Sequence, residues 1–145
     1  MIRDLAEYER LSDAVTTNEA ELREVLFGPS PAAEVVLGYD GTAPVGIAIF
    51  FHNFSTFLGK RGLYLEDLFV KPEHRGKGYG RELLTHLARL AVARGCGRME
   101  WSVLDWNAPS IAFYQKLGAV PMDEWTVFRL TGEALAALGA RGSRT

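Results

Sequence analysis

The spacing of apolar residues divides the chain into a helical beginning, a stretch of strands and a mixed second half. Ile2–Leu11 carries apolar residues at helical spacing, and Thr16 with Glu19 makes a capping-box pattern before a second helix. The apolar stripe of that helix is Leu22, Val25 and Leu26. The segment Gly28-Pro29-Ser30-Pro31 should end it, because neither glycine nor proline continues a helix well.

Extended apolar segments come next. Glu34–Tyr39 and Val45–Asn53 are predicted strands, and Asp40-Gly41 between them is a signal for a tight hairpin. Phe54–Gly62 is predicted to be a loop. Leu63–Val70 is too apolar for an edge strand, so it should lie inside the sheet.

The second half begins with a long helix over Gly78–Arg94, which Gly95 should end. The predicted buried stripe of this helix is Leu83, Leu84, Leu87, Ala88 and Ala91. Asn107 can cap another helix that runs to Leu117, with Pro109 in its first turn. The remaining predictions are a strand over Met99–Leu104, a strand over Trp125–Leu130 and a short helix over Gly132–Leu138. This order predicts a single domain, 1–145, of mixed α/β class with one sheet and helices on its faces.

Composition narrows the class of protein. Hydrophobic residues make up 48% of the 145 residues, and the formal net charge is -2, so no nucleic-acid-binding surface is indicated. No apolar run approaches the roughly 18 residues of a membrane span. The single cysteine, Cys96, excludes an internal disulfide and fits a cytoplasmic protein. The three histidines are scattered, so no metal-ligand spacing emerges; they are His52, His74 and His86.

The most informative segment is the basic, glycine-rich turn Arg75-Gly76-Lys77-Gly78-Tyr79-Gly80, which follows a predicted strand and opens a predicted helix. Glycines let several backbone amides point at one spot, and a helix amino terminus adds unpaired amides and a favourable dipole. A diphosphate is therefore the expected ligand. The spacing is neither that of a P-loop nor that of a dinucleotide fingerprint, whose third glycine would come one residue later. The alternative is a solvated turn whose glycines serve geometry alone.

At this point the chain resembles a known family. The turn matches the Arg/Gln-x-x-Gly-x-Gly/Ala signature of the GNAT acetyltransferases, which bind acetyl-coenzyme A (acetyl-CoA) by its pyrophosphate. Segments 64–70, 106–114 and 5–9 are similar to the diamine acetyltransferases, the group of spermidine/spermine N-acetyltransferase and thialysine acetyltransferase. The resemblance covers nearly the whole chain, from about Leu5 to Leu130.

The resemblance implies a mixed, mostly antiparallel central sheet flanked by helices, with acetyl-CoA as co-substrate and no metal. It implies that Glu66 helps deprotonate a small amine, through water, and that Tyr114 protonates the coenzyme A thiolate. It implies cofactor contacts at Leu68, Phe69, Val70, Arg75, Gly76, Lys77, Gly78, Tyr79, Gly80, Arg81, Asn107 and Ser110. It implies substrate contacts at Tyr8, Glu9, Glu66, Asp67, Glu100, Trp101 and Ser102. It also implies that the sheet splays open beside Leu68–Val70, which would let the backbone there pair with the pantetheine amides.

The residues themselves leave other roles open. Glu66 and Asp67 are adjacent on a strand, so regular geometry would point them to opposite faces and would not make them a close pair. Asp67 could serve the substrate's charge or bond the backbone at an irregularity of the sheet. Tyr114 has the spacing of an amphipathic core residue, and Asn107 could cap a helix, contact pantetheine, or do both.

Two departures from the family pattern matter. Met1 enters at about the middle of the family's first helix, so the first strand is expected to be missing, and a homodimer could then cover the exposed sheet edge. The loop around Ser55, Thr56 and Phe57 lacks the acidic character of a strong polyamine site. Polyamine, lysine and thialysine therefore all remain possible substrates.

The leading hypothesis is an acetyl-CoA-dependent N-acetyltransferase that acts on a small primary amine. The alternative is a coenzyme A-binding module or sensor with impaired catalysis. Retention of Glu66 and Tyr114 favours the enzyme, and the short amino terminus favours the module.

Overall fold

The computed structural model describes residues 1–142, which divide into two compact units, residues 1–104 and 105–142. The first unit contains the sheet. Its strands are β1 (Glu34–Asp40), β2 (Ala43–Ser55), β3 (Lys60–Val70) and β4 (Met99–Trp101), in the order β1-β2-β3-β4. β1 and β3 are antiparallel to β2, whereas β4 is parallel to β3. The prediction of a mixed, mostly antiparallel sheet with helices is confirmed.

Both hairpins of the sheet are tight. Asp40 pairs with Ala43 around Gly41, whose φ of 62° favours glycine, so the hairpin prediction is confirmed. The predicted loop over Phe54–Gly62 was too long, because pairing continues to Ser55↔Lys60. The Ser55 hydroxyl accepts a hydrogen bond from the Leu58 amide at 3.2 Å and holds the short turn between them.

Three helices belong to the first unit: α1 (Ile2–Tyr8), α2 (Glu19–Phe27) and α3 (Tyr79–Ala93). α1 ends earlier than predicted, because Arg10 adopts a φ of 63°, which a helix does not contain. The cap of α2 is Asn18 rather than Thr16; its side chain accepts from the Glu21 amide at 2.9 Å. α3 and its end at Gly95 follow the prediction, except that Ala88 is exposed.

α1 and α3 cover different faces of the sheet. Leu5 of α1 packs in a core cluster with Ile47, Ile49 and Phe69. α3 packs against β2 and β3 and buries Leu83, Leu84, Leu87 and Ala91. β3 is therefore covered from both faces, and its prediction as an interior strand is confirmed.

The second unit contains α4 (Ala108–Lys116) and α5 (Gly132–Gly139). Both helices were predicted. The prediction of a strand over Trp125–Leu130 was wrong, because the sheet of the described residues includes no strand there. An alternating apolar pattern forms a strand only where another strand satisfies its backbone groups. The predicted strand over Met99–Leu104 is also shorter, since β4 ends at Trp101.

Candidate active site

β3 and β4 separate after a short stretch of pairing. Their ladder consists of Leu63↔Met99, Tyr64↔Glu100 and Leu65↔Trp101. From Glu66 to Val70, β3 has a strand neighbour only on the β2 side among residues 1–142. The family resemblance implied an open edge beside Leu68–Val70, and in the described residues that open edge of β3 begins at Glu66.

A β-bulge places Glu66 at this opening. Ile49 of β2 pairs with Asp67, and the next residue, Phe50, pairs with Leu65, so Glu66 is an extra residue without a cross-strand partner. A bulge breaks the strict alternation of side chains. The regular alternation on which the separation of Glu66 and Asp67 was predicted is therefore absent here, and the charge of Glu66 raises the pKa of Asp67.

Three carboxylates are electrostatically coupled at the opening. Burial, then the charge of Glu66 and the charge of Glu9, together raise the pKa of Asp67 to about 6. Burial and then the charge of Glu66 also raise the pKa of Glu9, which follows the end of α1. We call Glu9, Glu66 and Asp67 the carboxylate cluster. Because its members repel one another, a cation placed among them would be stabilised.

The raised pKa of Asp67 predicts a pH-dependent stability. The folded chain keeps this proton to about pH 6, whereas an ordinary aspartate loses it near 3.8, so Asp67 destabilises the fold increasingly as pH rises between these values. Asp67→Asn should raise the free energy of unfolding at pH 8 by on the order of 1–2 kcal/mol, allowing for partial exposure. The same substitution should change the free energy of unfolding little at pH 3.5. Urea unfolding at both pH values measures this, and an equal effect at both would contradict the account.

The glycine turn follows the carboxyl end of β3. A short 3-10 helix, Pro72–His74, follows the strand, and α3 begins at Tyr79 with Gly78 as its N-cap. Gly76 and Gly78 have φ values of 75° and 88°, and an added Cβ at either would meet no atom within 4 Å. Their open sides and unusual backbone leave the amides at the start of α3 accessible, as a diphosphate site requires.

Two side chains of the turn have contacts inside the protein. The Tyr79 hydroxyl hydrogen-bonds to Asp40 in the β1–β2 hairpin, which raises the pKa of Tyr79. The Arg75 guanidinium lies over the rings of Tyr8 and Phe69, at 4.8 and 5.2 Å from their centroids. Arg75 Nε also donates to the Val70 carbonyl at 2.9 Å. By contrast, Lys77 and Arg81 are exposed cations beside the amides.

Two candidate substrate residues on and just after β4 already have partners inside the protein. Glu100 forms an ion pair with Arg98 at 3.1 Å and accepts a longer hydrogen bond from Asn53. The Ser102 and Tyr64 hydroxyls are 2.9 Å apart and share a hydrogen bond. The sequence prediction missed Arg98, although its position two residues before Glu100 on an extended segment could have revealed the pair.

The remaining candidates, on α4, belong to the second unit. The buried side chain of Asn107 caps α4 by accepting from the Ser110 amide at 3.3 Å, which confirms its predicted capping role. Tyr114 is half-buried on the same helix, with its ring 5.7 Å from that of Phe113. Asn107, Ser110 and Tyr114 thus share the first two turns of one element.

Comparison with known proteins identifies the family. The chain matches the model of the acetyltransferase (GNAT) family over residues 2–119. The chain belongs to the GNAT acetyltransferase family. The recognition made from the turn and its flanking segments is thereby confirmed.

Relatives of this GNAT chain include two amine acetyltransferase groups. Thialysine N-epsilon-acetyltransferase of Sus scrofa is 40% identical, over 97% of this chain and 89% of the relative. Spermidine/spermine N(1)-acetyltransferase-like protein 1 of Homo sapiens is 31% identical over 93% of this chain, which corresponds to 21% of that protein. The solved structure of an integron cassette protein from V. cholerae superposes with a TM-score of 0.80 at 26% identity, over 97% of this chain and 90% of that one.

GNAT acetyltransferases use acetyl-CoA as co-substrate. In the described part of this GNAT chain, no group of three or more His, Cys, Asp and Glu side chains could hold a metal ion. None of the helices within residues 1–142 is long and apolar enough to cross a membrane.

Proposed function

We propose that this chain transfers an acetyl group from acetyl-CoA directly to the primary amine of a small, lysine-like amino acid. The observation that carries the proposal is the carboxylate cluster, which lies where β3 parts from β4. The same strand leads into the glycine turn. The carboxyl-terminal half of β3 therefore offers negative charge to an ammonium, and the turn that follows the strand offers amides to a diphosphate.

Glu66 acts in the removal of the amine's proton. An alkyl ammonium with a pKa near 10.4 is only about one part in a thousand neutral at physiological pH, so attack on the thioester needs a proton acceptor. Glu66 is the exposed member of the cluster and occupies the bulge at the opening. It accepts the proton through a water molecule, while Asp67 and Glu9 hold the cation by charge.

Tyr114 acts on the leaving group of the reaction, the coenzyme A thiolate. When the amine nitrogen bonds to the acetyl carbon, the carbon–sulfur bond breaks and a thiolate departs. The Tyr114 hydroxyl gives that thiolate a proton, and the amine's proton leaves through Glu66, so no enzyme nucleophile is required. The Asn107 cap and Ser110 fix the start of the helix that carries Tyr114 and contact the cofactor arm.

The turn and the open edge of β3 fit the cofactor. The amides of 76–80 bind the pyrophosphate, with Lys77 and Arg81 adding positive charge, because Gly76 and Gly78 keep the approach free of side chains. Leu68 and Phe69 offer backbone groups to pantetheine as an added strand would. Val70 can offer its backbone as well, although its carbonyl already accepts one hydrogen bond from Arg75.

The engagement of Glu100 favours a lysine-like amine over a polyamine. A polycation needs carboxylates spaced along its length, whereas Arg98 neutralises Glu100 and leaves the negative charge concentrated in the one cluster. In this proposal Trp101, at the end of β4, and Ser102, which follows it, line the substrate side of the site. The higher identity with the thialysine enzyme than with the spermidine/spermine-like protein supports the same choice.

A panel of matched amines tests the substrate class. Thialysine and lysine are compared with their decarboxylated diamines, and spermidine and an aminoglycoside complete the panel. Thiol release gives kcat/KM, and mass spectrometry locates the acetyl group. We expect the amino acids to exceed their diamines by roughly tenfold, the worth of one charge-assisted interaction. A preference for spermidine or the diamines would contradict the assignment.

We also propose that the enzyme is a homodimer. β1 is an edge strand of the sheet in residues 1–142, and its Leu37 and Tyr39 are 43% and 55% exposed. Phe57 and Phe128 are almost fully exposed as well. Light scattering should give twice the 16.0 kDa of one chain. A mass of one chain at micromolar concentration would contradict this.

A further inference from the structure

Arg75 is the first residue of the glycine turn, yet its side chain contacts Tyr8, a residue proposed to bind the substrate. Its guanidinium carbon is 4.8 Å from the centroid of the Tyr8 ring and 5.2 Å from that of Phe69. Its Nε donates to the Val70 carbonyl at 2.9 Å. Arg75 is exposed, yet three contacts orient its side chain toward Tyr8 and β3.

These contacts join α1 to β3 at the point where the carboxylate cluster forms. Tyr8 is the last residue of α1, and Glu9 follows it as the C-cap. The helix is also held to the sheet by Leu5, one turn earlier, which packs with Phe69, Ile47 and Ile49. Arg75 thus adds a second attachment, at the end of α1 that carries Glu9 toward Glu66 and Asp67.

The geometry requires arginine in particular. A planar guanidinium can stack on aromatic rings and donate from Nε at the same time, whereas a lysine ammonium is a compact, strongly hydrated point charge. A phosphate, by contrast, is bound well by either residue. The conservative change to lysine therefore separates the two roles.

We infer that Arg75 is a positioning residue that holds the end of α1 against β3 and so sets the place of Glu9 in the carboxylate cluster. The diphosphate is left to the backbone amides of 76–80 and to Lys77 and Arg81. This inference rests on the proposed function only where it says that the cluster binds the amine. The attachment of α1 itself can be measured without turnover.

The test compares Arg75→Lys and Arg75→Gln with Lys77→Gln, and uses Arg89→Lys on the exposed face of α3 as the matched control. Both Arg75 variants should raise the KM for the amine roughly tenfold and leave the calorimetric Kd for coenzyme A within about twofold. Lys77→Gln should show the reverse pattern, and Arg89→Lys should change neither quantity. A normal amine KM in Arg75→Lys, or an effect of both Arg75 variants on coenzyme A alone, would overturn the inference.

Hydrogen exchange gives a readout that is independent of activity. Amides of Leu5–Glu9 should exchange faster in Arg75→Lys, while those of the β1–β2 hairpin stay protected. Unchanged exchange in α1 would overturn the inference even in a fully active variant. If the wild-type chain acetylates no amine, the proposed function fails, and the exchange and coenzyme A measurements still decide the role of Arg75.

Discussion

Replacing Glu66 by glutamine should lower kcat/KM for the amine by roughly 10²–10⁴-fold, the usual contribution of a general acid–base group. The amide keeps the size of the side chain but can neither accept the ammonium proton nor hold positive charge. The Kd for coenzyme A should stay within about twofold, because the backbone amides of the turn lie beyond the end of β3 and do not involve the Glu66 side chain.

Steady-state thiol release over a range of pH measures this effect. Wild-type kcat/KM should rise as pH increases through about 6, since Asp67 must lose its proton for the cluster to bind a cation fully. Glu24→Gln removes a carboxylate from α2 and serves as the charge-matched control. A Glu66→Gln variant that keeps a tenth or more of wild-type kcat/KM would show that another group accepts the proton.

Replacing Tyr114 by phenylalanine should lower kcat by roughly 10²–10⁴-fold while coenzyme A binding survives. The ring and its contact with Phe113 remain, so only the hydroxyl that protonates the thiolate is lost. Single-turnover thiol release measures the chemical step, and calorimetry measures binding. Tyr39→Phe, on the exposed part of β1, removes a hydroxyl elsewhere and is the control.

The Tyr114 variant also separates the enzyme from a coenzyme A-binding module. A binding module needs no acid, so it would show the same slow thiol release with tyrosine or phenylalanine at this position. Equal rates in the two chains would therefore favour the module and remove the role given to Tyr114.

Helices and strands that bury an apolar face in the core could be predicted from the sequence. β3 is apolar enough to require cover on both sides, and α3 presents Leu83, Leu84 and Leu87 on one stripe. The glycine turn was predictable as well, because its strand, its glycines and its helix are all local features. Gly76 and Gly78 indeed adopt the positive φ that only glycine accepts easily.

Features that depend on pairing between distant residues could not be predicted in this way. The bulge at Glu66 arises because β3 has one residue more than β2 between Leu65 and Asp67, and no local pattern marks it. The open edge of β3 depends on where β4 stops. The segment Trp125–Leu130 carries a strand pattern without a strand partner in the described chain. The contacts of Arg75 likewise join residues that are far apart in sequence.

The most direct test of the central claim is the initial-velocity pattern of thiol release when a lysine-like amine and acetyl-CoA are varied together. Direct transfer within one site, with the amine at the carboxylate cluster and the cofactor at the turn, predicts acetylated amine and intersecting double-reciprocal lines. Parallel lines would indicate an acetylated enzyme and contradict direct transfer. Thiol release that never exceeds background hydrolysis with any amine, despite tight coenzyme A binding, would contradict the enzyme itself.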